Sequence, residues 1–334
     1  MAFHGLISTV LELYEGYLWT LTFADKRVEN WPLMSSPIPT IVCTLSYVMM
    51  YSVGPVFARG LPQLSLRPVV VAHSLMMCGL NLYICVGIFW TGMIKEKYDW
   101  ICEPVHYDND ANSVQIASFA WWFYMSKLLE FFDTFLFIIR KKSNQITILH
   151  VYHHATMFSL WWIGVKWVAG GSATVGAMVN SFVHVWMYLY YFLTALFPGY
   201  RVPWKKALTV MQLTQFVLAV TFTTYDLYIE CPFPRWMGYA LIAYGTSLFV
   251  LFINYWKHEY GTRRSRKRHI GPEINGHYSV GREDTSNGES FDNRFSSHSL
   301  SSALFSGASY ESRIRDSPTL RNTLRYRHFD GARL

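Results

Sequence analysis

Three histidines lie within a stretch that is otherwise long and apolar enough to cross a membrane. The stretch runs TILHVYHHATMFSLWWIGVKWV over residues 147–168, and the histidines are His150, His153 and His154. At about 100° per residue of an α-helix, their side chains share one arc of roughly 100°. Ionisable side chains at membrane depth are costly and usually face a cavity or a partner. The HxxHH cluster therefore predicts a functional site.

Imidazole chemistry leaves two interpretations of this cluster open. Neutral imidazoles bind transition metals, and a mononuclear site formed by His150, His153, His154 and His184 is conceivable, whereas a di-iron site would need more histidines than the apolar segments contain. Imidazole is also a nucleophile toward thioesters and a general base near neutral pH. A closed, water-poor helix bundle would protect an acyl-imidazole and would suit fatty acyl chains.

Three other apolar segments carry polar side chains at helical spacing. The segments are KLLEFFDT at 127–134, NSFVHVWMYLYY at 180–191 and TVMQLTQF at 209–216. Their polar residues at this spacing are Lys127, Glu130, Asp133, Thr134, Asn180, His184, Tyr188, Tyr191, Thr209, Gln212 and Gln215. The simplest arrangement places the polar face of each segment, together with the histidines, around one interior cavity. We call these faces the polar stripes.

Structural interpretations of the same residues stay open beside the functional one. Lys127 with Glu130 or Asp133 could form an ion pair that joins neighbouring helices. Gln212 could make an interhelical hydrogen bond. His73 has no polar companion at helical spacing, and we interpret it as a packing or hydrogen-bonded histidine.

The elements that must position these residues are predicted to be transmembrane helices. Apolar residues make up 51% of the 334-residue chain, and windows of about 20 mostly apolar residues recur between short polar breaks. We predict an all-α membrane protein with spans at 37–57, 69–93, 116–139, 147–168, 172–196, 206–225 and 236–257. No cleavable signal peptide is evident within residues 1–30.

The chain divides near residue 262 into a membrane domain, residues 1–261, and a Ser-rich tail, residues 262–334. The tail has thirteen basic and eight acidic residues, so it holds five of the seven net positive charges. Its low apolar content predicts disorder. Because the basic balance lies in this tail, nucleic-acid binding is not indicated.

The breaks between spans predict the orientation of the chain. Basic residues follow spans 1, 3, 5 and 7, including the RRSRKR run at 263–268, whereas the other breaks are acidic or neutral. Cytoplasmic loops are enriched in Lys and Arg, so the N-terminus is predicted outside or lumenal and the C-terminus cytosolic. Cys102 and Cys231 then share the non-cytoplasmic side, where they could form a disulfide or stay free.

Four ordered motifs resemble the signature boxes of the very-long-chain fatty acid elongases. They are KLLEFFDT, HVYHH at 150–154, NSFVHVWMYLYY and TVMQLTQF, and the resemblance covers roughly residues 15–262. It implies a multi-pass endoplasmic-reticulum enzyme in which six of seven helices surround a narrow acyl-chain tunnel. The implied reaction condenses a fatty acyl-CoA with malonyl-CoA, giving a 3-oxoacyl-CoA two carbons longer, CO2 and CoA, without a bound metal or cofactor.

The resemblance also implies roles for individual residues. His153 would attack the acyl thioester in a ping-pong reaction, His184 would assist the condensing step, and His150 and His154 would orient the reacting groups. The supporting or substrate-binding residues would be Lys127, Glu130, Asp133, Asn180, Tyr188, Gln212 and Gln215. Gln145 and the Asn180-Ser181 pair resemble the animal subgroup that elongates polyunsaturated and very long chains.

The implied partners are the lipid bilayer and the ketoreductase, dehydratase and enoyl reductase of the elongation cycle, and a homodimer is a further expectation. Two other classes of protein remain as alternatives. Buried Lys, Glu, Asp and His also occur in membrane transporters, and an HxxHH cluster also occurs in His-ligated metal enzymes of the oxygenase or desaturase kind.

Overall fold

The computed structural model describes residues 2–62, 64–199 and 202–257. Within these residues every regular element is helical, which confirms the all-α prediction. The α-helices are α1 (Ala2–Leu21), α2 (Ile38–Arg59), α3 (Arg67–Ile88), α4 (Ala111–Leu129), α5 (Phe131–Ile139), α6 (Ile148–Trp167), α7 (Ser172–Leu196), α8 (Lys205–Tyr228) and α9 (Arg235–Trp256). The predicted disordered tail and its basic run at 263–268 lie outside the described residues.

Four of the described segments are long and apolar enough to cross a membrane, namely Ile38–Arg59, Arg67–Lys95, Lys205–Tyr228 and Arg235–Trp256. Helices α4, α6 and α7 carry the lysine, histidine and asparagine side chains of the polar stripes, which lower their hydropathy. The chain is thus a multi-pass helical membrane protein. Seven crossings remain a prediction.

Six helices pack side by side in a closed ring. Around the ring each helix contacts the next in the order α3, α4, α6, α9, α8, α7 and back to α3. Helix α2 lies outside this ring and packs against α5 and α6. The polar stripes predicted from the sequence belong to α4 through α8, so the ring brings residues far apart in the chain to a common interior.

The third predicted span is not one continuous helix. Helix α4 ends at Leu129 and α5 begins at Phe131, and the interruption falls on Glu130, which is fully buried. The amide of Asp133 donates to the carbonyl of Glu130 at 3.1 Å. This bond joins residues three apart instead of the four of an α-helix, so the helical turn is tighter at the buried Glu130.

The ends of α3, α4 and α6 meet a layer of loops that closes one end of the ring. Gly171, the N-cap before α7, has φ +59°, and a Cβ there would lie 2.7 Å from the Glu103 carbonyl oxygen, so glycine is required. Asp110 caps α4, and hydrogen bonds from Ser113 lower the pKa of the Asp110 carboxyl. Cys102 and Cys231 are joined by a disulfide in this layer.

The linker after α1 reaches the same end of the ring. Helix α1 is not among the predicted spans. Trp167 donates its indole N–H to the carbonyl of Thr20 at 2.8 Å. The buried Arg27 pairs with Asp25 at 2.6 Å and also donates to the carbonyl of Ala169. Residues 20–27 and the disulfide therefore lie at one end of the bundle.

We expect Cys102→Ser to lower the free energy of unfolding by about 2–4 kcal/mol, because the disulfide restricts a long loop of the unfolded chain. Thermal unfolding of detergent-purified protein measures this effect. Thiol titration after denaturation should find three thiols in the wild type, Cys43, Cys78 and Cys85, and four in the variant, because Cys231 is released. Cys43→Ser is the matched control. Five reactive thiols in the wild type would contradict the bond.

Candidate active site

The HxxHH cluster lies in the first turns of α6. Thr147 begins this helix as its N-cap, and its side-chain oxygen accepts a hydrogen bond from the backbone N–H of His150 at 3.2 Å. Such a cap satisfies an N–H that has no partner inside the helix. It also sets the helical register, which aims His150, His153 and His154 into the ring rather than toward the bilayer.

Glu130 is the centre of the buried charges. The Lys127 ammonium donates to Glu130 Oε1 at 2.8 Å and to Asn180 Oδ1 at 3.1 Å, and it lies 4.4 Å from the centroid of the Phe123 ring. Both members of the ion pair are at most 1% exposed. A buried pair of this kind persists because each charge neutralises and hydrogen-bonds the other. Lys127 is therefore placed to hold the Glu130 carboxylate in position.

Two histidines approach the same carboxylate from different helices. His184 Nε2 on α7 lies 3.5 Å from Glu130 Oε1, and His154 Nδ1 on α6 lies 3.6 Å from Glu130 Oε2. Among the described residues, Glu130 Oε2 and His154 Nδ1 have no hydrogen-bond partner. The His184 Nδ1–H donates to the backbone carbonyl of Asn180 at 2.9 Å, which leaves Nε2 as the nitrogen facing the carboxylate.

His153 faces an open cavity of about 430 Å³. Its ring contacts that of His154 edge-on, with centroids 5.3 Å apart, and lies nearly parallel to that of His184 at 6.5 Å. The polar residues that line the cavity include Asn144, Gln145, Thr147, His150, His153, His154, Asn180, His184, Tyr190, Tyr191, Lys205, Gln212, Gln215 and Tyr255. All four predicted catalytic histidines therefore meet in one space, which also receives the glutamines of α8.

His150 is held by a chain of hydroxyl groups. Its Nε2 lies 2.8 Å from Thr134 Oγ1 on α5, and that hydroxyl lies 3.1 Å from the Tyr47 hydroxyl on α2. All three side chains are at least half-buried. Tyr47 was not predicted as a site residue, because a single tyrosine in an apolar helix has no distinguishing spacing.

Asp133 belongs to a separate polar group on the far side of α5. Its two carboxylate oxygens contact His73 Nε2 at 3.1 Å and the Tyr188 hydroxyl at 2.6 Å. His73 is thus hydrogen-bonded, and its partner comes from another helix, which helical spacing along α3 does not reveal. Asp133 and Tyr188 do not line the cavity that the histidines border. They tie α3, α5 and α7 together and so position the helix that follows Glu130.

The glutamines of α8 lie apart from the charged residues of α4 and α5. Gln212 and Gln215 border the cavity opposite the histidines, and Gln212 Nε2 lies 3.7 Å from the Met187 sulfur. A sulfur is a weak acceptor, so the amide stays available for a polar ligand. Tyr191 and Lys205 border the same cavity.

A metal interpretation needs a different ligand set from the one predicted. Glu130, His153 and His154 each offer one ligand atom, and these atoms lie within 4.8 Å of one another. His150 Nε2 is instead hydrogen-bonded to Thr134, whereas His184 bonds Asn180 through Nδ1 and keeps Nε2 facing Glu130. The Lys127 ammonium 2.8 Å from Glu130 Oε1 would repel a divalent cation at this position.

Known proteins resemble this chain over most of its length. Very long chain fatty acid elongase 4 of Mus musculus is 47% identical over 255 residues, which cover 76% of this chain and 81% of that protein. The Homo sapiens protein of the same name is 46% identical over 259 residues, covering 77% and 82%. Very long chain fatty acid elongase 5 of Xenopus tropicalis is 41% identical over 246 residues, covering 73% and 82%.

A family match agrees with these relatives. Residues 32–268 match the ELO: GNS1/SUR4 family, and this range contains all four motifs and every histidine of the site. The resemblance inferred from the motifs is thereby confirmed. The sequence motifs, the relatives and the buried histidine site all agree with this match. The chain belongs to the ELO (GNS1/SUR4) family of fatty acid elongases.

Proposed function

We propose that this protein catalyses the condensing step of fatty acid elongation, as a 3-oxoacyl-CoA synthase. The observation that carries the proposal is the position of His153, whose ring borders the 430 Å³ cavity between His154 and His184. A nucleophile in such a place can be reached by a thioester while the surrounding helices exclude bulk water. The substrates would be a long-chain acyl-CoA and malonyl-CoA.

The first half-reaction would acylate His153. A ring nitrogen attacks the thioester carbonyl carbon, the carbon–sulfur bond breaks, and the CoA thiolate leaves as the thiol after taking the imidazole proton. His154 and His184 flank the ring, and the Nδ1–H of His184 is held by the backbone carbonyl of Asn180. This preorganised arrangement lets neighbouring groups stabilise the charge that develops on the carbonyl oxygen.

The second half-reaction would consume malonyl-CoA. Its terminal carbon–carbon bond breaks with release of CO2, and the electron pair forms a bond to the acyl carbon. The acyl–nitrogen bond then breaks, and the imidazole regains a proton from water, which replaces the one that left with the CoA thiol. His184 is the group that we propose to assist this step, because it lies across the cavity from His153. Gln212 and Gln215 could bind the polar part of the substrate.

We further propose an endoplasmic-reticulum location, seven crossings and a lumenal N-terminus. The disulfide end of the bundle also holds residues 20–27, and disulfides form in oxidising compartments. Among the described residues, the opposite end carries the basic residues Arg59, Arg67, Arg140 and Lys205. The names of the relatives support very long acyl-CoA substrates, and polyunsaturated chains are a further proposal. The 3-oxoacyl product would pass to the reducing and dehydrating enzymes of the cycle. A homodimer stays a prediction.

Incubation of the purified full-length protein with carboxyl-labelled malonyl-CoA and a series of acyl-CoAs tests the proposal. We expect labelled CO2 to be released only when both substrates are present, together with a 3-oxoacyl-CoA two carbons longer. Malonyl-CoA alone is the control for simple decarboxylation. Lack of a malonyl-dependent product with every acyl-CoA would reject the activity and favour a transporter.

A further inference from the structure

A chain of two hydroxyl groups reaches His150 from outside the helix ring. Its outer member is Tyr47 of α2, whose hydroxyl lies 3.1 Å from Thr134 Oγ1. The inner contact joins Thr134 Oγ1 to His150 Nε2 at 2.8 Å. Tyr47 and Thr134 are at most 2% exposed, and neither borders the histidine cavity, whereas His150 does. Any effect of the two hydroxyl groups on the cavity must therefore pass through the His150 ring.

The hydrogen of the Tyr47 hydroxyl decides the direction of this chain. Among the described residues, Thr134 Oγ1 is the sole hydrogen-bond partner of that hydroxyl. A buried hydroxyl without an acceptor costs about 1–3 kcal/mol, so Tyr47 donates to Thr134. The single hydrogen of the Thr134 hydroxyl is then directed to its other partner, and His150 Nε2 accepts it.

An accepting Nε2 fixes the tautomer of His150. An imidazole that accepts at one nitrogen is neutral and carries its hydrogen on the other, which here is Nδ1. Within the part of the chain that the structure describes, no protein atom is hydrogen-bonded to His150 Nδ1, and this nitrogen is not enclosed. Because the ring borders the histidine cavity, its Nδ1–H is a donor that a ligand in the cavity can use.

A donor in this cavity complements the nitrogen that attacks the substrate. In the proposed reaction His153 attacks a thioester carbonyl carbon, and negative charge develops on the carbonyl oxygen. A preorganised N–H group close to that oxygen lowers the barrier. His184 already donates its Nδ1–H to the backbone carbonyl of Asn180 at 2.9 Å, so that hydrogen is not available. His150 lies three residues before His153 on α6 and borders the same cavity.

We propose that Tyr47 and Thr134 are positioning residues, which fix His150 as a hydrogen-bond donor to the carbonyl oxygen of the substrate. This inference rests on the proposed condensing activity and extends its machinery to α2, outside the ring. Thr134 orients His150 directly, and Tyr47 acts by aligning the Thr134 hydroxyl. The Tyr47 ring stacks on Phe131 with centroids 4.2 Å apart, which holds the phenol in place.

Kinetics of Thr134→Val and Tyr47→Phe test the chain. Valine keeps the shape of threonine and phenylalanine keeps the stacked ring, so each substitution removes little except a hydroxyl group. We expect kcat for malonyl-dependent elongation to fall about tenfold or more in Thr134→Val, because a wrong histidine tautomer can cost up to about 10⁴-fold. The fall should be smaller in Tyr47→Phe. KM should change little, because the donor acts on charge that develops only in the transition state.

Two further variants separate this role from a structural one. Thr134→Ser keeps the hydroxyl group and should restore most of the kcat that Thr134→Val loses. Tyr124→Phe is the matched control, because Tyr124 is buried, stacks on Phe158 and bonds Thr40 of α2 at 2.6 Å without bordering the cavity. Its kcat should equal that of the wild type. A wild-type kcat in Thr134→Val, or an equal fall in Tyr124→Phe and Tyr47→Phe, would overturn the proposal.

Nitrogen NMR gives a readout that does not depend on activity. Wild-type protein with isotope-labelled histidine is reconstituted in lipid bilayers, and the His150 signals are assigned by comparison with His150→Gln. We expect a hydrogen on Nδ1 and none on Nε2, and a mixture of tautomers in Tyr47→Phe. This spectrum decides if Thr134→Val does not fold, and a hydrogen on Nε2 in the wild type would overturn the proposal. A wild type with the expected tautomer but without any malonyl-dependent product would instead reject the proposed function.

Discussion

His153→Ala should abolish covalent labelling of the protein by acyl-CoA. In the absence of malonyl-CoA, the wild type is expected to accumulate an acyl group on His153, while the variant has no nucleophile at this position. Loss of a nucleophile commonly lowers kcat by roughly 10³-fold or more, and we expect the same scale for malonyl-dependent turnover. Incubation with chain-labelled acyl-CoA, followed by denaturation, proteolysis and mass spectrometry, measures both the label and its position.

His106→Ala is a suitable control for this experiment. His106 lies in the loop before α4, and its side chain is 43% exposed. It pairs with Glu103 and does not border the histidine cavity. That variant should acylate normally. Retention of the label by His153→Ala, or a label mapped to His154 or His184 in the wild type, would refute His153 as the nucleophile. Unchanged thermal unfolding of His153→Ala would show that loss of labelling is chemical.

Glu130→Ala should cause the largest loss of stability among the site variants. The substitution leaves the Lys127 ammonium buried beside Asn180 without a counter-charge. Removing one partner of a buried ion pair typically costs about 3–5 kcal/mol. It also removes the carboxylate that approaches His154 and His184, so activity should be lost together with stability. Thermal unfolding and the yield of monodisperse protein in detergent measure the first effect.

The double variant Lys127→Met with Glu130→Leu separates stability from activity. Both charges are then removed, and apolar replacements of buried pairs are often neutral or stabilising. We expect unfolding to return close to the wild-type temperature while condensation stays lost. A Glu130→Ala protein as stable as the wild type would show that the ion pair does not form. A double variant with full activity would show that the carboxylate does not position the histidines.

The spacing of residues along single helices predicted much of the fold and of the site. Helical periodicity and apolar runs need only neighbours within a few turns, so the helices and the shared face of His150, His153 and His154 follow from the sequence itself. The motif order also identified the family. The predicted span limits agree with α2, α6, α7, α8 and α9 to within a few residues.

Contacts between helices could not be predicted from the sequence, because no local pattern specifies which distant residue a side chain contacts. His73 meets Asp133, and Tyr47 meets Thr134, only because α2, α3 and α5 pack as they do. The interruption at Glu130 likewise depends on a buried carboxylate that is shared among α4, α6 and α7. Sequence alone predicted that these charges compensate one another, but not that Asp133 turns away from the histidines.

The sequence by itself therefore determined the class of the protein, its helices and the histidines able to do the chemistry, since each depends on residue type and short-range spacing. Only the tertiary structure decided which partners each polar residue contacts. It assigned Lys127 and Glu130 to the histidine site and Asp133 to a separate tie between helices. Those assignments depend on the packing of helices around one ring, which brings together side chains that are distant along the chain.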